Sequence, residues 1–141
     1  RYLPEYRELR KQHRMLDLIR NPKLAAEVTL QPLRRFQLDG AIIFADILNP
    51  LMGMGIELDF VEGEGPKIFN PVRTVEDVQR LKVPPAEQHV GYTLEAIGLV
   101  VKELTPRRVP VLGFAGSPFT LSYYLMEGRG THKLDQVRRC M

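Results

Sequence analysis

Apolar and polar positions alternate along this chain in a way that predicts helices and short buried strands in turn. Pro4 suits the first turn of a helix over residues 5–19. Asn21-Pro22 reads as an N-cap followed by proline at the first helical position, opening a second helix to about residue 36. Leu24, Val28, Pro32 and Phe36 fall four apart with Ala25 and Leu33 beside them, which predicts one apolar face; Pro32 is a candidate kink. After Gly40 the run 41–45 (Ala-Ile-Ile-Phe-Ala) is continuously apolar, as expected of a strand covered on both faces. A glycine-punctuated loop follows, with a short β excursion around Leu58, Phe60 and Val61. Thr74 with Asp77 three residues on has the form of a capping box for a short helix ending near Leu81. Beyond Pro84-Pro85 a long helix is expected over 86–104, then a second apolar strand over 109–114. Ser117-Pro118 caps a helix over 119–126 that stops at Glu127-Gly128, and a last helix starts near Lys133.

Strands that alternate with helices argue for an α/β fold with parallel strands. The 141 residues contain no linker, low-complexity tract or repeat, so one structural unit is expected. Two or three core strands with five or six helices neither close a barrel nor cover a doubly wound sheet. With Arg1 rather than a methionine at the start and an unfinished helix over 134–141, the expectation is a fragment of a larger fold. No run approaches the ~20 apolar residues of a membrane span, and the single cysteine, Cys140, excludes an internal disulfide.

Charge sharpens this picture. The net charge of +3 hides a segregation: residues 1–36 carry nine Lys/Arg against four Asp/Glu, residues 37–105 five against eleven, and residues 106–141 six against two. Basic residues of the first helix are interleaved with acids (Glu5, Arg7, Glu8, Arg10, Lys11), the pattern of a solvated face rather than a nucleic-acid stripe. Arg7, Arg10 and Arg14 are spaced to share one side of that helix, where they could hold carboxylates in bidentate pairs.

Asp46 is the most informative candidate. It follows a buried strand at the carboxyl edge, where parallel α/β folds bind ligands; a turn cap is the alternative reading of the same position. Residues 113–118 (Gly-Phe-Ala-Gly-Ser-Pro) end the second strand at the same edge. Their small side chains permit either close backbone approach to a ligand or a tight strand–helix junction. No Gly-Lys-Ser/Thr follows, so this is no phosphate loop. Tyr123 and Tyr124 point about 100° apart on the next helix, so one of the two at most faces a site; a core tyrosine is the plain alternative. His13, His89 and His132 are dispersed, without metal-ligand spacing.

Four stretches resemble the uroporphyrinogen decarboxylase family of haem and chlorophyll biosynthesis. Residues 1–7 (Arg-Tyr-Leu-Pro-Glu-Tyr-Arg) are similar to the end of that family's Arg-Gln-Ala-Gly-Arg-Tyr-Leu-Pro-Glu signature. Leu30-Gln31-Pro32 with Phe36 resembles its second helix, and residues 41–48 its Ile-Ile-Phe-Ser-Asp-Ile-Leu strand. Residues 113–128 (GFAGSPFTLSYYLMEG) resemble its Gly-Phe-Ala-Gly-Ala-Pro-Trp-Thr-Leu segment. Phe119 stands where tryptophan is usual and Ala45 where serine is usual, changes that keep shape and apolarity.

The resemblance implies a (β/α)8 TIM barrel, which needs ~250 residues, so residues 1–141 would be a single partial domain: the N-terminal half, truncated at both ends. By residue-wise match it implies that Arg1 and Arg10 bind substrate carboxylates, that Asp46 holds the pyrrole N–H groups, that Gly116 lies in the pocket loop and that Tyr124, not Tyr123, is the active-site tyrosine. Arg1, Asp46 and Tyr124 are thereby the expected catalytic residues. It implies decarboxylation of the four acetates of uroporphyrinogen to coproporphyrinogen with no cofactor and no metal. It also implies a cytoplasmic or plastid homodimer without nucleic-acid or membrane partners, and a fragment inactive alone. Two alternatives stand beside it: a corrinoid- and zinc-dependent methyltransferase of the same barrel superfamily, and a non-enzymatic tetrapyrrole-binding module.

Overall fold

A computed structural model of the chain describes residues 2–131 and 133–140. These fall into two compact units, one built from residues 1–46 and 90–114, the other from 47–89 and 115–141.

The first unit begins with α1 (Pro4–Gln12) and α2 (Met15–Arg20) where the sequence pattern predicts one helix over 5–19. The break has a local cause. His13 is extended, and its carbonyl accepts a 2.7 Å hydrogen bond from Nη1 of Arg10. The Asp17 carboxylate accepts the Arg14 N–H at 3.1 Å and starts a new helix there. Arg14 therefore leaves the face it was expected to share with Arg7 and Arg10. The third helix, α3 (Pro22–Arg35), opens as expected: Oδ1 of Asn21 accepts the N–H groups of Lys23 and Leu24. Pro32 sits inside α3, which continues to Arg35. Its buried side differs from the expected stripe, because Ala25, Ala26, Val28, Thr29 and Leu33 face inward while Phe36 is exposed. Arg35 Nε donates to Glu5 at 2.6 Å, tying α3 to α1, and this bond holds the Glu5 carboxyl below the usual carboxylate range.

Strand β1 (Ala41–Ile42) pairs in parallel with β4 (Val111–Leu112), Ala41 opposite Val111 and Ile42 opposite Leu112. The ladder is extended by Ala41 N–H to Pro110 O and Ile43 N–H to Leu112 O. The connection between them includes α7 (Gly91–Leu104), the crossover helix of a parallel βαβ unit. Ala25, Ala26 and Leu33 of α3, Ala41 and Ile43 of the strand, and Ala96, Val100 and Leu104 of α7 form one core. Burial of Val100 and Leu104 is complete and is worth about 1.5–3 kcal/mol for each side chain.

The expectation of a strand covered on both faces is corrected here. Ala41 and Ile43 are buried, but Ile42 is 65% and Leu112 51% exposed. The buried face of this two-stranded sheet packs against α3 and α7, while Ile42 and Leu112 point to the more exposed face. An open apolar groove of about 580 Å3 also runs along β1, lined in part by Leu3, Tyr6, Leu33, Leu38 and Phe114.

In the second unit, α4 (Asn49–Gly53) precedes an antiparallel hairpin of β2 (Leu58–Val61) and β3 (Gly65–Ile68). The hairpin is the anticipated β excursion, whereas the five-residue α4 is too short to show a period. The capping box is present: Oγ1 of Thr74 accepts the Asp77 N–H and the Asp77 carboxylate accepts the Thr74 N–H at the start of α5 (Val75–Gln79). The expected helix over 86–104 is divided into α6 (Ala86–His89) and α7 at Val90, whose φ of −122° and ψ of 18° are not helical. The eighth helix, α8 (Pro118–Glu127), is capped by Ser117 and ended by Gly128 at φ 78°, as the sequence suggests; α9 (Asp135–Cys140) follows. Leu48, Leu51, Ile56, Leu58, Ile68, Val72 and Leu125 make this unit's core.

Gly53 is a close-approach glycine. A Cβ there would lie 2.3 Å from the His89 ring, whose Nδ1 is anchored 2.9 Å from Pro85 O. Gly53→Ala is expected to destabilise the complete protein by about 1–3 kcal/mol through overpacking, read as a lowered Tm. An unchanged Tm would mean that His89 moves aside without cost.

Candidate active site

The chain beyond β1 leaves the sheet at its carboxyl end and runs through Phe44 and Ala45 to Asp46. The exit is fixed by a side chain that the hydrophobic pattern does not single out. Thr29, buried on α3, donates its hydroxyl to Ala25 O at 2.8 Å and accepts the Phe44 N–H at 2.8 Å. The Phe44 ring meets Tyr6 of α1 edge to face at 6.1 Å. One hydrogen bond, to a hydroxyl itself oriented by Ala25 O, and one ring contact thus hold Phe44, two places before the half-buried Asp46. A short polar residue facing inward from an apolar helix was the available signal for Thr29.

Thr29→Val keeps the shape and removes the acceptor. It is expected to lower the stability of the complete protein by about 1–3 kcal/mol, because the Phe44 N–H is left unpaired. Thr29→Ser should restore most of the Tm. Equal melting of the Val and Ser variants would contradict this role.

Arg10 is half-buried, and its Nη1 is engaged in closing α1 on His13 O. Arg1 lies outside the described residues, as does His132. Asp46 and Arg10 belong to the first unit, Gly116 and Tyr124 to the second.

Gly116 has a packing reason to be glycine: a Cβ would come within 2.7 Å of Leu121 Cδ2 and 3.3 Å of Ile47 Cβ. On α8 the two tyrosines diverge as expected. Tyr123 bonds through its hydroxyl to both the N–H and the carbonyl of Thr131. Tyr124 packs against the apolar core of its unit, with its ring 5.0 Å from that of Tyr123 and inclined at 70°. The hydroxyl of Tyr123 is therefore spent on the backbone of the following loop. Among the described residues no group of three His, Cys, Asp or Glu is arranged to hold a metal ion.

A parallel strand pair joined by a crossover helix defines a mixed α/β protein. Comparison with known structures agrees on the fold. A methyltransferase from Methanosarcina mazei superposes with a TM-score of 0.60 over 76% of this chain and 35% of its own, at 21% identity. The family model for uroporphyrinogen decarboxylase (URO-D) matches residues 1–141, and the chain belongs to that family. Among curated uroporphyrinogen decarboxylases, that of Carboxydothermus hydrogenoformans is 49% identical over all 141 residues and that of Roseiflexus sp. 51% over 139. The one from Chloroflexus aurantiacus is 47% identical over 141. The chain spans about 40% of the length of these relatives.

Proposed function

We infer that the complete protein decarboxylates uroporphyrinogen, and that this chain supplies one part of a (β/α)8 barrel and of its active site. The observation that carries the reading is Asp46, a carboxylate at the carboxyl end of β1, on a strand exit fastened by Thr29. Among the described residues the β1–β4 sheet has two strands with open edges and an exposed Ile42–Leu112 face, which supports a sheet that continues at those edges and curls over that face. Identity of 47–51% to decarboxylases, against 21% to the methyltransferase, favours decarboxylation over methyl transfer.

In this reading the substrate is a cyclic tetrapyrrole bearing eight carboxylates. Protonation of a pyrrole carbon makes the ring cationic. The C–CO2 bond of its acetate then breaks, and the electron pair flows into the ring. A proton added to the resulting methylene makes a methyl group, the ring carbon gives up the proton it first took, and the cycle repeats on each ring with no cofactor. Asp46 accepts hydrogen bonds from the pyrrole N–H groups and offsets the developing positive charge. Arg1 and Arg10 pair with substrate carboxylates, Tyr124 hydrogen-bonds beside the reacting acetate, and Gly116 keeps the pocket loop close. Residues 1–141 count as a single partial barrel domain, within a cytoplasmic homodimer whose mass light scattering would report.

The test is product analysis. The complete protein, given uroporphyrinogen and no added cofactor, should release four CO2 per molecule and yield coproporphyrinogen. Absence of CO2 release, or turnover only with a methyl donor, would overturn the reading.

A further inference from the structure

The second unit holds a groove that the decarboxylase reading leaves unused. It has a volume of about 370 Å3 and is lined by Lys67, Arg73, Arg129 and Lys133 together with Glu127 and Asp135. The unit as a whole carries nine Asp/Glu against eight Lys/Arg, so it is slightly acidic. The groove nevertheless gathers four of the eight bases and two of the nine acids.

Its walls are fixed rather than incidental. Ile68 N–H donates to Gly128 O at 2.7 Å and Val72 N–H to Leu125 O at 2.9 Å, which stitches the chain after β3 to the end of α8. Lys67 and Arg129 face each other in an antiparallel bridge. Gly128 permits this approach: it sits at φ 78°, and a Cβ would meet Ile68 O at 3.4 Å. The Tyr123 hydroxyl clamps the backbone of Thr131, and Thr131 Oγ1 accepts the Lys133 N–H at 3.1 Å.

Against four cations the groove sets two carboxylates, Glu127 and Asp135, which leaves a formal excess of two positive charges. Oε1 of Glu127 accepts the N–H groups of Gln136 and Val137 at the start of α9. Arg73 uses only Nε internally, on Met126 O. Lys67 has a distant partner in Glu64 at 3.8 Å, and among the described residues Arg129 and Lys133 have no ion-pair partner.

We propose that this groove is an oxyanion-docking site, in which Arg73, Arg129 and Lys133 receive a carboxylate or phosphate group. Guanidinium and ammonium groups lining one cleft suit a planar carboxylate or a phosphate. The two sources are separable. A small tricarboxylate such as citrate brings carboxylates; inorganic phosphate stands for a free phosphate group.

The experiment uses the complete protein and measures binding of each probe by calorimetry, so it does not depend on turnover and stands apart from the decarboxylase reading. At least one probe should bind, more weakly as salt rises. The double variant Arg129→Gln/Lys133→Gln should weaken that binding about tenfold. Arg73→Gln should weaken it in the same direction. Arg138→Gln/Arg139→Gln, which removes two charges from α9 outside the groove, should leave it within about twofold. Melting curves establish that each variant is folded, and Arg73→Gln stands as the independent variant if the double one is not. Phosphate binding alone, lost with the groove variants, identifies a phosphate group as the occupant, and citrate binding lost with them identifies carboxylates. Absence of binding by both probes overturns the proposal. So does binding that survives in the groove variants, or that falls equally in the Arg138/Arg139 control.

Discussion

Asp46→Asn in the complete protein is expected to slow decarboxylation by about 10²–10³-fold, with the fold intact. The substitution preserves size and one acceptor oxygen. It removes the negative charge and places an NH2 group where the pyrrole N–H groups are to be received. The cost falls on the step in which the ring becomes cationic, so kcat should drop far more than KM rises. Asp46 stands beyond a strand exit held by Thr29 and Tyr6, and asparagine keeps its size and one acceptor oxygen, so Tm should change by little. Single-turnover CO2 release and a melting curve on the same sample separate the two effects. A variant within tenfold of the parent rate would return Asp46 to the role of a turn cap.

The second large effect concerns the 141 residues by themselves. Produced alone, they are expected to release no CO2 from uroporphyrinogen, to bind an apolar dye and to associate. Ile42 and Leu112 lie on the more exposed sheet face, and β1 and β4 form a two-stranded sheet with open edges among the described residues. The 580 Å3 groove along β1 adds further apolar surface. Production together with the remaining part of the full-length protein should restore activity and suppress dye binding. A monomeric 141-residue chain that melts cooperatively, binds porphyrin tightly and takes up no dye would instead favour a self-contained tetrapyrrole-binding module.

What could be read from the sequence was what neighbours along the chain decide. The caps at Asn21, Thr74 and Ser117 and the stop at Gly128 depend on residues two to four places away, and each stands where the pattern puts it. The break between α1 and α2 escaped the pattern, because a long Arg10 side chain bonding the His13 carbonyl leaves no trace in hydrophobic periodicity. The exposed face at Ile42 escaped for a different reason. An apolar run looks the same whether its second cover is present or lies outside the chain. Thr29 was lost among the apolar residues of α3, since its importance comes from Phe44, fifteen residues on. Asp46 stood out as a charged residue directly after five apolar ones, but the paired strand ends at Ile42, because beyond Ile43 the chain bonds to Thr29 rather than to β4. The groove around Arg129 was not legible, because its cations come from two segments far apart in the sequence, 67–73 and 129–133, that only folding brings together.

The most direct test is a crystal structure of the complete protein with coproporphyrinogen bound. The account predicts the Asp46 carboxylate oxygens within hydrogen-bonding distance of the pyrrole nitrogens, at about 2.7–3.2 Å. It predicts that Ile42 and Leu112 are enclosed by a sheet that continues beyond β1 and β4. A tetrapyrrole bound away from Asp46, or a two-stranded sheet still open on that face, would contradict it.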